Sequence, residues 1–286
     1  MMADNPSGPT PINTPGGVDI YRQRKGWLGW LPDKPDIRDH KMTVHYVAGA
    51  ADVPKAFLPG AEKFLPPIRD QGDQGSCGGH SMRSAVQYKV AAEGKGTDEL
   101  SPRFIYYNAR LIEGATNQDS GIEIRDAAKS VGKLGVSTEA LCPYDPRVYA
   151  QRPSPTAYKE ALSDLVTNYQ RVPQNQNAIK QAILGGSPVV FGFTVYENFM
   201  TDAMAADGLM PQPEGSVDGG HAVWICGFDD TIDIKGQKGG VCIGNSWGNQ
   251  WGAVGPNGSR GYFWINWSLL CNPHFADDFW AINVVA

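Results

Sequence analysis

Gln71-Gly72-Asp73-Gln74-Gly75-Ser76-Cys77-Gly78-Gly79-His80-Ser81 is a glycine-rich turn that delivers a cysteine to the start of a helix. Behind Cys77 the apolar residues Met82, Val86 and Val90 recur at a spacing of four, one face of a helix that runs to about Gly94. A thiol at a helix N-terminus lies in the positive end of the macrodipole, among unpaired N–H groups, and both favour the thiolate. The thiolate is the nucleophilic form. Taken alone, the stretch reads equally well as a small buried apolar cysteine.

Two later stretches shift that balance. Gly219-Gly220-His221-Ala222-Val223-Trp224-Ile225 opens an apolar, strand-like run on a histidine. Val241-Cys242-Ile243-Gly244-Asn245-Ser246-Trp247-Gly248-Asn249-Gln250-Trp251-Gly252 ends another short apolar run on an asparagine, followed by two tryptophans. An activated cysteine needs a base, and the base needs a third group to fix its tautomer and orientation. Cys77, His221 and Asn245 can fill those roles in chain order. His80 is near Cys77 on the same helix and is expected to face the helix packing instead of a cleft.

The chain resembles the papain-like cysteine peptidases from about Val53 to its C-terminus. The resemblance rests on Gln71 six positions before Cys77, on Gly-His-Ala-Val at 220–223, and on Asn-Ser-Trp-Gly followed by Trp-Gly. The wording of 100–110 and 188–196 is similar to the bacterial branch. His221 falls within the downstream spacing of that family. Asn245 lies somewhat beyond it, with a Gly- and Lys-rich loop expected to take up the excess. The resemblance implies an α+β fold: a helical lobe, an antiparallel β-barrel lobe, and a cleft between them in which Cys77 faces His221. It implies peptide hydrolysis through a thioester, with the Gln71 amide and the Cys77 N–H as oxyanion donors and Trp247 shielding the His221–Asn245 bond. It also implies a pocket for the second residue before the cut, lined by Gly121, Ile122, Gly219 and Ala222, with Trp251 on the leaving-group side. A cationic histidine beside the thiol can lower its pKa to roughly 3–4, as in papain itself. Two other readings share these residues: a cysteine-dependent acyltransferase or deamidase, and a catalytically silent binding module.

Departures from the family pattern are informative. Gln74 stands where the family has a cysteine, which removes one disulfide. Gly78 stands where it has tryptophan, which is expected to leave room beside the thiol.

Composition bounds the rest. Hydrophobic residues make up 41% of the 286-residue chain and charged residues 19%, with a net charge of −5, which is globular and without a basic stripe. A nucleic-acid partner therefore has little support. The apolar runs are far too short for a membrane span, and the first residues carry no secretory signal pattern. Five cysteines are an odd, sparse set, all expected as thiols, and none has zinc-ligand spacing. No cofactor is implied; the expected partner is a protein or peptide substrate, and the chain is expected to act as a monomer.

Three segments follow. Residues 1–52 read as a propeptide-like arm: proline and glycine dominate its start, and Gly26-Trp27-Leu28-Gly29-Trp30-Leu31-Pro32 is an aromatic cluster with no amphipathic element to hide in. That cluster is expected to pack along the cleft or its rim. Residues 53–164 read as the helical lobe. Ser101-Pro102 caps a second helix to about Ile112, and a third helix ends near Lys133 with Gly135 behind it. Residues 165–286 read as the β lobe: strands near 165–172, 189–196, 222–228, 241–243, 262–265 and 280–285, plus a short helix at 177–184.

Overall fold

The computed structural model describes residues 28–44, 54–58, 64–164 and 166–285. Most of the expected arm, including Gly26 and Trp27, lies outside the described residues.

The chain enters as a short strand β1 (Trp30–Leu31), and a second, β2 (Ala56–Phe57), precedes the helical lobe. That lobe is α1 (Cys77–Ala92), α2 (Pro102–Glu113), β3 (Ile122–Glu123), α3 (Ile124–Leu134) and α4 (Pro155–Ala161). Ser101 caps α2 by accepting from the Phe104 N–H at 3.1 Å, and Pro102 takes its first helical position, where a missing N–H costs nothing. Glycines at 78 and 79 sit in the first turn of α1 because neighbours press there. A Cβ at Gly79 would stand 2.7 Å from the Pro102 carbonyl, and one at Gly78 would stand 2.7 Å from Ile122. The room expected beside the thiol is therefore filled by Ile122.

The β lobe comprises β4 (Val166–Arg171), α5 (Gln176–Leu184), β5 (Val189–Tyr196), α6 (Asp202–Asp207), β6 (Val217–Ile234), β7 (Gln237–Gly244), β8 (Ala253–Val254), β9 (Arg260–Asn266), α7 (Trp267–Leu270) and β10 (Ala276–Val285). Its strands form one antiparallel sheet in the order β4-β10-β5-β6-β7-β9-β8, with β2 pairing beside β6. Strand alternation sends one set of side chains, among them Phe191, Phe193, Val223, Ile243 and Phe263, into the lobe's own core with α5 and α7. The other set, among them Val190, Ala222, Trp224, Cys242 and Trp280, packs against Met82, Val86, Ile124 and Val131 of α1 and α3. Both faces are buried, so these strands read as nearly unbroken apolar runs.

The segment between Ala222 and Asn245 differs from expectation. The excess residues form no loop: β6 and β7 extend into a long hairpin closed by Lys235 (φ 50°) and Gly236 (φ 84°). Two central residues at positive φ twist with the strands, which is the two-residue turn such a hairpin favours. A register shift near Cys226 places Gly227, not Cys226, opposite Cys242. All five cysteines are free thiols.

Candidate active site

Cys77 opens α1, and its sulfur meets the N–H of Ala222 on β6 at 3.4 Å. His221 is the neighbour of Ala222 on that strand. Its Nε2 lies 2.8 Å from Asn245 Oδ1, which also accepts the Ser246 N–H at 2.9 Å. An oxygen that accepts from a backbone N–H is fixed as oxygen, so the His221 Nε2 must carry the proton it donates. Nδ1 is then the bare, basic nitrogen, and it has no hydrogen-bond partner among the described residues. The Trp247 ring lies against His221, with centroids 4.8 Å apart and planes tilted by 32°.

The two lobes are stitched together beside this group. The Gln71 N–H donates to the Ser246 carbonyl at 2.9 Å, and the Ser246 hydroxyl donates to Gln71 Oε1 at 2.6 Å. Gln71 Nε2 donates to the Gln74 carbonyl at 2.7 Å. The Gln71 amide is thus oriented from both sides, and the turn from Gln71 to Cys77 is tied to the loop that carries Asn245. Trp251, expected on the leaving-group side, is buried behind Trp247. It meets that ring edge-on at 5.1 Å and packs on Phe199 and Phe263. His80 faces the helix packing as expected, its Nδ1 3.1 Å from the Ser76 carbonyl and its ring edge-on to Tyr144.

The arm crosses this site. Gly29 lies between Gly75 and Gly121. Its carbonyl accepts the Ile122 N–H at 2.8 Å, a Cβ on Gly29 would fall 1.9 Å from the Gly75 carbonyl oxygen, and a Cβ on Gly121 would fall 2.3 Å from that of Gly29. Leu28 packs over Gly219, and Trp30 and Leu31 pair in parallel with Ile122 and Glu123. Asp119 fastens the wall: it accepts from the Gly75 N–H and from the Tyr106 hydroxyl, which in turn accepts the Gly121 N–H at 3.2 Å.

Beyond Gly29 the arm is held by buried, hydrogen-bonded ionisable groups. The Asp33 carboxylate accepts from the Trp280 indole at 2.8 Å, from Arg171 at 3.2 Å and from the backbone N–H of Arg125 at 3.0 Å, near the N-terminus of α3. Asp278 Oδ2 accepts from Trp30 Nε1 at 3.1 Å and from the Asp33 N–H at 2.7 Å, while its Oδ1 accepts from Arg171 at 2.7 Å. Burial, joined by the neighbouring Asp278, pushes the Asp33 carboxyl up to about 7.

Covered in this way, Cys77 and His221 are both fully buried. Burial pushes the thiol up to about 11, against the pull of N–H groups from Ala222, Gly29, Gly78 and Cys77 itself. Burial likewise lowers His221 to about 4, with its bond to Asn245 acting the other way. The low thiol pKa expected from sequence does not hold in this covered state: without water around it, the pair is a neutral thiol beside a neutral imidazole.

Sequence reasoning gave no role to Ser246, Asp119 or Asp278, nor to Gly192 and Gly220, whose missing Cβ atoms leave room for the Trp30 ring. Asp277-Asp278 inside an apolar strand, and a lone glycine within Val-Val-Phe-Gly-Phe, were the available signals.

A thiol between a helical lobe and an antiparallel sheet, with a histidine of fixed tautomer and an asparagine behind it, defines a cysteine hydrolase. The chain belongs to the papain family of cysteine proteases, whose profile matches residues 53–269. It is 31% identical to an uncharacterised peptidase C1-like protein of Acanthamoeba polyphaga mimivirus, across 90% of this chain and 87% of that one. Among solved structures, xylellain, a cysteine protease from Xylella fastidiosa, is 35% identical, with a TM-score of 0.78 over 92% of this chain and 98% of that one. A procathepsin B of Trypanosoma congolense shares the fold at 16% identity, with a TM-score of 0.72 over 93% and 89% of the two chains. The protein is therefore a cysteine-type peptidase, a hydrolase acting on protein or peptide substrates.

Proposed function

We propose that Cys77, His221 and Asn245 carry out endopeptidase chemistry through a thioester, and that the arm around Gly29 restrains it. The observation that carries the reading is the His221 tautomer: Asn245 takes the Nε2 proton, which leaves Nδ1 as the base. Cys77 sulfur attacks the scissile carbonyl carbon as its proton passes to Nδ1. The carbonyl oxygen gains the negative charge, and the Cys77 N–H and the Gln71 amide, oriented by Ser246 and Gln74, stabilise it. When the intermediate collapses, the C–N bond breaks and the imidazolium gives its proton to the leaving amine. Water then loses a proton to Nδ1, attacks the thioester and releases Cys77 as thiolate. Trp247, lying against His221, excludes water from the bond to Asn245 and so strengthens it.

The arm holds this machinery idle. Gly29 lies where a substrate backbone would pass, and its N–H points at the Cys77 sulfur. Removing it readmits water, lets the ion pair form, and opens the walls at Gly121, Ile122, Gly219 and Ala222 to a peptide. One chain supplies every residue of this site, so the proposed chemistry needs no second copy. Hydrolysis of a quenched fluorescent peptide, run beside a glutamine donor with a labelled amine, tests the reading. Peptide cleavage that disappears in Cys77→Ala is expected. Amine incorporation without cleavage would replace hydrolysis by acyl transfer.

A further inference from the structure

The pocket that Trp30 fills is built for something flat. Its walls on β5 and β6 are Gly192 and Gly220. A Cβ at Gly192 would stand 2.1 Å from the Trp30 ring, and one at Gly220 would stand 2.7 Å from its Cε3. Neither glycine has a positive φ, so space and not backbone conformation requires them. The slot ends at Asp278, which is 1% exposed. Asp278 adopts φ 58°, a left-handed conformation, within a stretch of β10 where the register shifts between Asp277 and Trp280. Bulged, strained backbone of this kind re-aims a side chain. Here it turns a carboxylate toward the slot.

Both donors to Asp278 Oδ2 come from the arm, the Trp30 indole and the Asp33 N–H, whereas Oδ1 keeps Arg171 from β4. When the arm leaves, Oδ2 loses both of these donors, and the Arg171 and Trp280 N–H groups that served Asp33 stay at the edge of the slot. An incoming side chain that ends in an N–H at the Trp30 position restores the bond. One that ends in carbon fills the slot without replacing the bond that Trp30 makes to Oδ2, and so loses the discrimination a buried hydrogen bond gives. A cationic side chain meets Arg171, which already neutralises Asp278, and so gains less.

Resting on the peptidase reading, the geometry points to Asp278 as a specificity residue: the slot selects a flat aromatic side chain bearing an N–H donor, tryptophan above all, at the second residue before the cut. Trp30 of the arm is the chain's own stand-in for that side chain.

The test compares peptides carrying tryptophan or 3-benzothienylalanine at that position, an isostere in which sulfur replaces the N–H. The full-length protein is used. Both substrates meet the same fraction of open enzyme, so the ratio of their kcat/KM values is independent of arm occupancy. Tryptophan is expected to be preferred about tenfold by the wild type. The preference should fall to about one in Asp278→Gly, where glycine suits the left-handed backbone, and should survive largely in Asp278→Asn, which keeps an acceptor. A ratio near one in the wild type, or one unchanged in Asp278→Gly, overturns the assignment. So does an arginine peptide that outperforms tryptophan in the wild type and loses its advantage in Asp278→Asn, since charge and not the donor would then be read. Failure of Cys77-dependent cleavage for every peptide would instead remove the peptidase reading, and this inference with it.

Discussion

Two buried clusters flank the cleft and are built by opposite means. Cys77, His221 and Asn245 are neutral groups that all belong to the body of the enzyme: His221 is bonded to Asn245 at 2.8 Å, and the Cys77 sulfur accepts from the Ala222 N–H at 3.4 Å. Asp33, Asp278 and Arg171 are ionisable groups held by carboxyl–guanidinium contacts and indole N–H bonds, and the arm contributes Asp33 together with the Trp30 donor. The first cluster survives departure of the arm. The second is broken by it, and leaves Arg171 with Asp277 and Asp278. In the proposed reading a permanent site is gated by a conditional one, and the second cluster is where conditions such as pH would act.

The largest expected effects fall on the permanent cluster. Cys77→Ala should lose more than about 10⁴-fold in kcat/KM on a small peptide while the chain stays folded, because the swap removes little volume at a helix start. His221→Ala should be as severe. Asn245→Ala should be milder by one to two orders of magnitude, since an orienting group contributes less than the proton carrier. Equal losses in all three, read from steady-state kinetics, would mean that Asn245 does more than orient the ring.

A change at the arm should act in the opposite direction. Gly29→Ala places a methyl against the Gly75 carbonyl and cannot fit the docked position. Overpacking of this kind costs about 1–3 kcal/mol, so activity on small peptides should rise about tenfold. Unchanged kinetics would mean that the arm does not limit access.

The pH response should distinguish the clusters more finely. Asp33 sits at about 7 when docked and near its ordinary 3.8 when free. Its neighbours are Asp278 and Trp280 on β10, Arg171 on β4, Arg125 on α3, and Asp39 of the arm through both arginines. Asp278 is raised as well, burial again coming first. Docking therefore takes up protons. It is strongest below about pH 4 and weakens as pH rises to about 7. The docked fraction, followed by the Trp30 indole N–H resonance, should decline across that window, and Asp33→Asn should flatten the decline. A rise with pH would reverse the sign of the account.

The smallest effect should come from a site distant from both clusters. Lys235→Asn at the β6–β7 turn suits the left-handed backbone better but gives up the half-exposed ion pair with Asp207, so stability in denaturant titration should change by less than about 1 kcal/mol, with kinetics unaltered.

The two clusters also differ in how legible they were. The proposed catalytic set was legible as a group because each member lies in a short local phrase whose neighbours surround it in the fold: Gly75-Ser76 before the thiol, Ala222 after the histidine, Ser246-Trp247 after the asparagine. The strands read clearly where they are apolar, and β5 was placed to the residue. The second cluster was not readable, because Trp30, Asp33, Arg171 and Asp278 are separated by up to most of the chain and meet only through the sheet order that sets β10 between β4 and β5. Ile122 beside Gly78 was hidden for the same reason: a glycine shows that space is needed, not what occupies it. The long β6–β7 hairpin was missed because its outer half is polar and exposed, so only its inner half carries an apolar pattern.

On the proposed reading, a competent Cys77 lies under the arm and becomes reactive when the arm lifts. Labelling by a thiol-directed peptidyl epoxide, mapped by mass spectrometry on the full-length protein at neutral pH, tests it most directly. Cys77 should be modified ahead of the four other thiols, slowly in the wild type and about tenfold faster in Gly29→Ala. No modification of Cys77 in either protein, or equal rates in both, would contradict the account.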